Sequence, residues 1–136
     1  MTLLPDLNRI EVSNALLAIP PFNGFKQEEL TTLVDMLETF VLKKNTVLYK
    51  PEKPASSLYI LLSGKITISE EKTGEKPFAV CTPPSLISPL SFLFPTNALA
   101  YAVAEKECII CELTAGSFKM LQLSTPALAL NIITGL

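Results

Sequence analysis

An antiparallel β sandwich or roll with helices at both ends is the fold class this chain predicts, and three observations predict it. Short apolar runs separated by turn signals fill roughly residues 40–114, the pattern of a small all-β unit. The segments on either side change to helical spacing. At 136 residues and 49% hydrophobic, the chain suits one buried core and not two.

Residues 11–38 carry the first helical patterning, in EVSNALLAI and then KQEELTTLVDMLETF, divided by the breaker Pro20-Pro21 and the turn Asn23-Gly24. In the second segment Leu30, Leu33, Val34, Leu37 and Phe40 recur as one apolar helical stripe, which reads as a core-packing face. From residue 40 the period shortens. FVLKK, TVLYK, SSLYILLS and KITISEE read as strands, and KPFAVCT as another after the turn Lys72-Thr73-Gly74-Glu75. ALAYAVAE and ECIICEL follow a break at PPSLISPLSFLFPTN. AGSFKMLQL then suggests a short helix, and Ser124-Thr125-Pro126 starts another with a capping hydroxyl and a first-turn proline. One domain over 1–136 is expected, with N-terminal helices at 10–38, the β-roll at 39–114 and C-terminal helices at 115–136.

The last helix, PALALNIITGL, has no charged residue, so it should not stand alone in water. It has two outlets: packing on its own roll, or pairing with a second copy or a protein partner through Leu128, Leu130, Ile132, Ile133 and Leu136.

Composition excludes several function classes. A net charge of −2 supplies no general attraction to nucleic acid or anionic membranes, so DNA binding by this chain alone is disfavoured. No apolar run reaches the roughly 20 residues of a membrane span. The opening MTLLPDLNRIEV lacks the basic start of a secretory signal, and a cytoplasmic protein is expected. The chain has no histidine, which removes the commonest metal ligand and general base together. No metal, no cofactor and no enzyme activity are expected. Cys108 and Cys111 form a C-x-x-C, but a spacing of three along a strand sends them to opposite faces. They read as structural.

Beyond the topology, particular stretches resemble the cyclic-nucleotide-binding domain of catabolite-activator and FNR-type regulators and of kinase regulatory subunits. LLAIPPFNGFKQEELTTLVDML is similar to that family's opening, and NTVLYKPEKPASSLYILLSGKITIS follows its signature without a gap, including Ser57-Leu58-Tyr59 and Ser63-Gly64-Lys65-Ile66. The resemblance covers roughly residues 14–136. It implies a jelly roll (a double-stranded β-helix) interrupted by one small helix. Family glycines fall at Asn45 and Glu52, so the resemblance implies altered turns there.

The family's ligand site is a phosphate-binding cassette, in which Gly-Glu opens a short helix and Arg-x-Ala follows. Backbone N–H groups meet the cyclic phosphate, Arg neutralises it, and Glu accepts the ribose hydroxyl. Aligned without gaps, Ser88 stands for Gly, Pro89 for Glu and Ala98 for Arg, while Ala100 keeps the small residue. Pro89 has neither carboxylate nor N–H, and removing one partner of a buried charge pair costs about 3 to 5 kcal/mol, or about a hundred- to several-thousand-fold in affinity. Arg9 is the sole arginine and lies outside the matched stretch.

The resemblance with these departures implies a regulatory or protein-interaction module that does not take cAMP or cGMP in the usual way. Its degenerate cassette comprises Ser88, Pro89, Leu90, Ala98 and Leu99, and Leu86, Phe92 and Tyr101 are expected to line an apolar pocket. Two alternatives stay open: a sensor for another small, rather apolar metabolite, and cyclic-nucleotide binding with altered contacts through Ser88 and Lys65 or Lys50. Activator-type relatives place a DNA-reading helix-turn-helix beyond the terminal helix, and none occurs within these 136 residues.

Overall fold

A computed structural model of the chain describes residues 2–3, 9–20, 22–52, 56–73, 76–87 and 98–135. Among these are four α-helices and nine strands. Helices α1 (Arg9–Leu17) and α2 (Gln27–Met36) flank a 3-10 turn at Phe22–Gly24. At the start of α2 the Lys26 backbone N–H donates to Glu29 Oε1 at 2.8 Å, the reach-back half of a capping box. Leu30, Leu33 and Val34 of the expected stripe are buried on it. The helix then stops short of the expected 38–40. Leu37 is extended (φ −83°, ψ 140°), and Phe40 sits on strand β2 (Glu38–Leu42) opposite Ile110. Thr39-Phe40-Val41 favours a pleated ladder over another helical turn.

The remaining strands are β1 (Thr2–Leu3), β3 (Val47–Tyr49), β4 (Ser57–Ser63), β5 (Ile66–Ser69), β6 (Ala79–Cys81), β7 (Ser85–Ile87), β8 (Tyr101–Ala104) and β9 (Cys108–Thr114). They form two antiparallel sheets, ordered β1-β2-β9-β4-β7 and β3-β8-β5-β6, and α3 (Ala115–Ser124) and α4 (Pro126–Gly135) close the chain. The fold is thus mainly β and antiparallel with helices at both ends, as the sequence predicts. Strand β7, inside the stretch read as a break, and the two-residue β1 are additions to that expectation.

The central strands β4 and β9 of the five-stranded sheet are largely buried on both faces, and the period of two divides their side chains between two cores. On the helix side, Leu58, Ile60, Cys111 and Leu113 pack with Leu16, Leu30, Leu33, Phe118 and Leu121. On the inner side, Leu42, Tyr59, Leu61, Ile87, Cys108 and Ile110 meet Ile66, Ala102 and Ala104 of the second sheet. Cys108 and Cys111 therefore lie on opposite faces, as their spacing predicts. Thr114 caps α3 by accepting from Ser117 N–H at 3.1 Å. Helix α4 divides its candidate pairing residues: Leu128 and Ile132 are buried in the chain's own helix-side core, which removes them from a free pairing face. Leu130 and Ile133 stay 59% and 37% exposed. Leu136 lies outside the described residues.

Asn45 and Glu52 have φ of 72° and 67°, so both positions adopt the left-handed backbone that glycine favours. Asn45 N–H donates to Ala104 O at 2.7 Å and Ala104 N–H to Thr46 O at 2.9 Å, which fixes the first turn against β8. Asn tolerates this region; for Glu the same conformation is strained. Gly64 has φ 100°, and a Cβ there would lie 2.5 Å from Cys108 Sγ and 2.6 Å from Glu107 O. Only glycine fits.

Candidate ligand site

The cassette's second end and the inner face of the roll are described; Ser88, Pro89, Leu90 and Phe92 lie outside the described residues. Ala98, which the ungapped sequence alignment sets against the family arginine, is 4% exposed, and its carbonyl accepts Glu52 N–H at 3.3 Å. The strained Glu52 turn thereby ties the end of β3 to the start of β8. Leu99, a candidate cassette residue, is 74% exposed and does not line an interior pocket.

Two expected lining residues are out of phase by one. On β7, Leu86 pairs with Ile60 and Ile87 with Tyr59. Ile60 belongs to the helix-side core and Tyr59 to the inner core, so Leu86 faces the helices and Ile87 faces inward. On β8, Ala102 pairs with the inward Ile68 and Tyr101 with Ser69, so alternation turns Tyr101 away from the interior. The short runs SLI and AYAVA are apolar on both phases, which leaves the hydrogen-bonded register to decide.

The interior holds a different set of groups. Tyr49 and Tyr59 stack with ring centroids 6.5 Å apart and planes 25° apart, within the offset-stacked range. Burial raises the Tyr49 hydroxyl to a pKa of about 12, with smaller contributions from Cys81 and Tyr59. Burial likewise raises Tyr59 to about 12, assisted by the Glu112 carboxylate. The Cys81 thiol is pushed up by burial too. Ser85, opposite the inward Leu61, has a buried Oγ with no hydrogen-bond partner among the described residues. These residues carry a sequence signal: in SSLYILLS the alternation Ser57, Tyr59, Leu61 already puts Tyr59 on one face.

The electrostatics follow from this lining. Among the described residues no lysine or arginine is buried; the buried polar side chains are Ser57, Thr67 and Ser69. Arg9 pairs with Asp35 between the outer helices. Lys65, a candidate replacement cation, pairs with Glu105 at 3.5 Å, beyond the end of β8 remote from Ala98 and so roughly 20 Å from it at strand rise. Lys50 sits next to the Glu52 turn that bonds Ala98. A desolvated interior of this kind favours neutral groups over an anion. Among the described residues no three of His, Cys, Asp or Glu cluster as a metal site, and no helix is long and apolar enough to cross a membrane.

Comparison with solved structures gives the same fold. A cyclic nucleotide-binding domain from Methylobacillus flagellatus KT superposes with a TM-score of 0.79 at 17% identity, covering 92% of this chain and 71% of that one. The N-terminal domain of a transcriptional regulator from Streptomyces coelicolor A3(2) gives 0.77 at 23% identity, covering 88% and 85%. The regulatory subunit of a cAMP-independent protein kinase A from Trypanosoma brucei, a triple mutant bound to cAMP, gives 0.75 at 20% identity, covering 93% of this chain and 44% of that one. No curated protein matches in sequence. Residues 39–124 match the profile of the cyclic nucleotide-binding domain, nearly the entire roll and α3, and the chain belongs to that family.

Proposed function

We propose that this domain is a non-enzymatic regulatory and protein-interaction module that does not take cAMP or cGMP in the family's usual way. The observation that carries the reading is Ala98: where the family's arginine would meet the phosphate, a small buried residue holds a backbone hydrogen bond to Glu52. The Trypanosoma relative offers a parallel, since it is described as cAMP-independent and its cAMP-bound form is a mutant with an introduced arginine. The exposed Leu130 and Ile133 of α4 give the module a surface for a second copy or another protein. A cytoplasmic setting and no direct DNA reading by this chain alone complete the proposal.

Titration calorimetry with cAMP and cGMP tests it. No saturable heat is expected at high micromolar nucleotide, and clear saturation by either nucleotide overturns the reading. Restoring the motif as S88G/P89E/A98R should create binding. One observation favours a second reading, a sensor for a neutral metabolite: the unpartnered Ser85 hydroxyl on the inner face is the kind of group a ligand or a water satisfies. A metabolite present at 100 times its dissociation constant would add roughly 2.7 kcal/mol of stability, visible in a thermal-shift screen.

A further inference from the structure

Gly24 and Gly64 both sit in turns, and the backbone requires glycine at only one of them. Gly64 takes φ 100° and has no room for a Cβ. Gly24, which ends the 3-10 turn between α1 and α2, has no left-handed φ, and a Cβ on it would meet no heavy atom within 4 Å. Alanine would fit there. What glycine supplies at this position is an unshielded, mobile amide nitrogen directly after Asn23, and both residues are exposed.

Asparagine is a thermolabile side chain, because the nitrogen of the following residue can close a five-membered ring on its Cγ. Of the six asparagines, only Asn23 precedes a glycine. Asn14 and Asn131 lie inside α1 and α4, where the next N–H belongs to the helix ladder. Asn45 is followed by Thr46, whose N–H donates to Lys43 O at 3.1 Å and whose branched Cβ crowds the approach. At 23–24 the closure is light. Phe25 N–H donates to Phe22 O at 3.0 Å across the turn, a bond of the poorer 3-10 geometry, and breaking it frees the backbone rotation that ring closure needs.

We infer that Asn23 is a site of spontaneous self-modification, deamidating through a cyclic imide. The Gly24 nitrogen loses its proton to solvent base and attacks Asn23 Cγ; the N–Cγ bond forms, the Cγ–Nδ2 bond breaks, and Nδ2 leaves as ammonia. Water then opens the ring at either carbonyl, to aspartate or isoaspartate. One water is consumed, one ammonia is released and no electron is transferred. Either product is a carboxylate at neutral pH and adds one negative charge to the net −2. Isoaspartate also routes the backbone through Cβ, one atom longer, between Phe22, 1% exposed in the helix-side core, and Phe25, edge-on to it at 5.6 Å. The seat of Phe22 is thereby loosened. Mass spectrometry of the full chain, aged at mildly alkaline pH and then digested with trypsin, tests the inference. Peptide 10–26 holds both Asn23 and its helical control Asn14. A gain of about one mass unit is expected at Asn23, faster at higher pH, and none at Asn14. Gly24→Ala should keep the fold and slow the gain several-fold. The aged chain should unfold at lower urea than Asn23→Asp, which copies the charge without the longer backbone; equal midpoints would overturn the loosening. An unmodified Asn23, an equal gain at Asn14, or a G24A chain that ages at the original rate overturns the inference. None of these readouts involves a nucleotide.

Discussion

The two faces of the five-stranded sheet both pack against other elements and are built differently. The helix side joins aliphatic and aromatic side chains from β4, β9 and all four α-helices. Its sole thiol, Cys111, lies 3.5 Å from Thr39 Oγ1. The inner side contains two raised phenols, the thiols of Cys81 and Cys108, and at its margin the orphaned Ser85 hydroxyl. The helix face answers only to packing, and any solution of the right volume serves. The inner face keeps polar atoms that burial penalises.

Perturbing each face sharpens that contrast. The largest effect is expected at the junction of hairpin and inner core: Gly64→Ala forces a Cβ against Cys108 and Glu107 backbone atoms and should destabilise by about 3 kcal/mol or more in urea unfolding. On the helix side, Leu121→Ala removes a fully buried side chain and should cost about 2 to 5 kcal/mol. In the exposed turn after β3, Glu52→Gly should stabilise by about 1 kcal/mol, because glycine adopts φ 67° without strain. A destabilising result there would mean that the Glu52 side chain contributes more than its backbone strain.

The tyrosines make a test by pH. Their folded pKa values, about 12, lie above the ordinary value of 10.0. Below pH 10 both states are neutral and the phenols add no pH dependence. Between about 10 and 12 the unfolded chain ionises first, so stability falls as pH rises. Y49F/Y59F should move the alkaline unfolding midpoint upward and leave the neutral-pH helix face unaffected. The smallest effect belongs to the surface: Arg9→Ala breaks an exposed ion pair and should change stability by no more than about 1 kcal/mol.

Much of this architecture was legible in the residues. Helical stripes at Leu30, Leu33 and Val34, alternating strands such as SSLYILLS, and the opposed cysteines all rest on strong local periodicity. What the sequence left open rests on phase. Leu86 and Tyr101 lie in short runs that are apolar on both faces, so the backbone pairing with β4 and β5 sets which residue points inward, and nothing local encodes it. At Asn45 and Glu52, hydrogen bonds to Ala104 and Ala98 hold a left-handed backbone without glycine, which residue type alone does not encode. At the site the stacking of Tyr49 on Tyr59, assembled from β3 and β4, was not legible, because it joins residues of two different sheets.

The three free cysteines also make the chain its own clock. Cys81 is half-buried, Cys108 and Cys111 are sealed on opposite faces of one strand, and burial disfavours the reactive thiolate in all three. A thiol reagent should therefore modify Cys81 in one fast step. The other two must wait for the sheet to separate from the helices or from its partner sheet. Their relative labelling rates would report which of the two cores opens first, with no probe added to the protein.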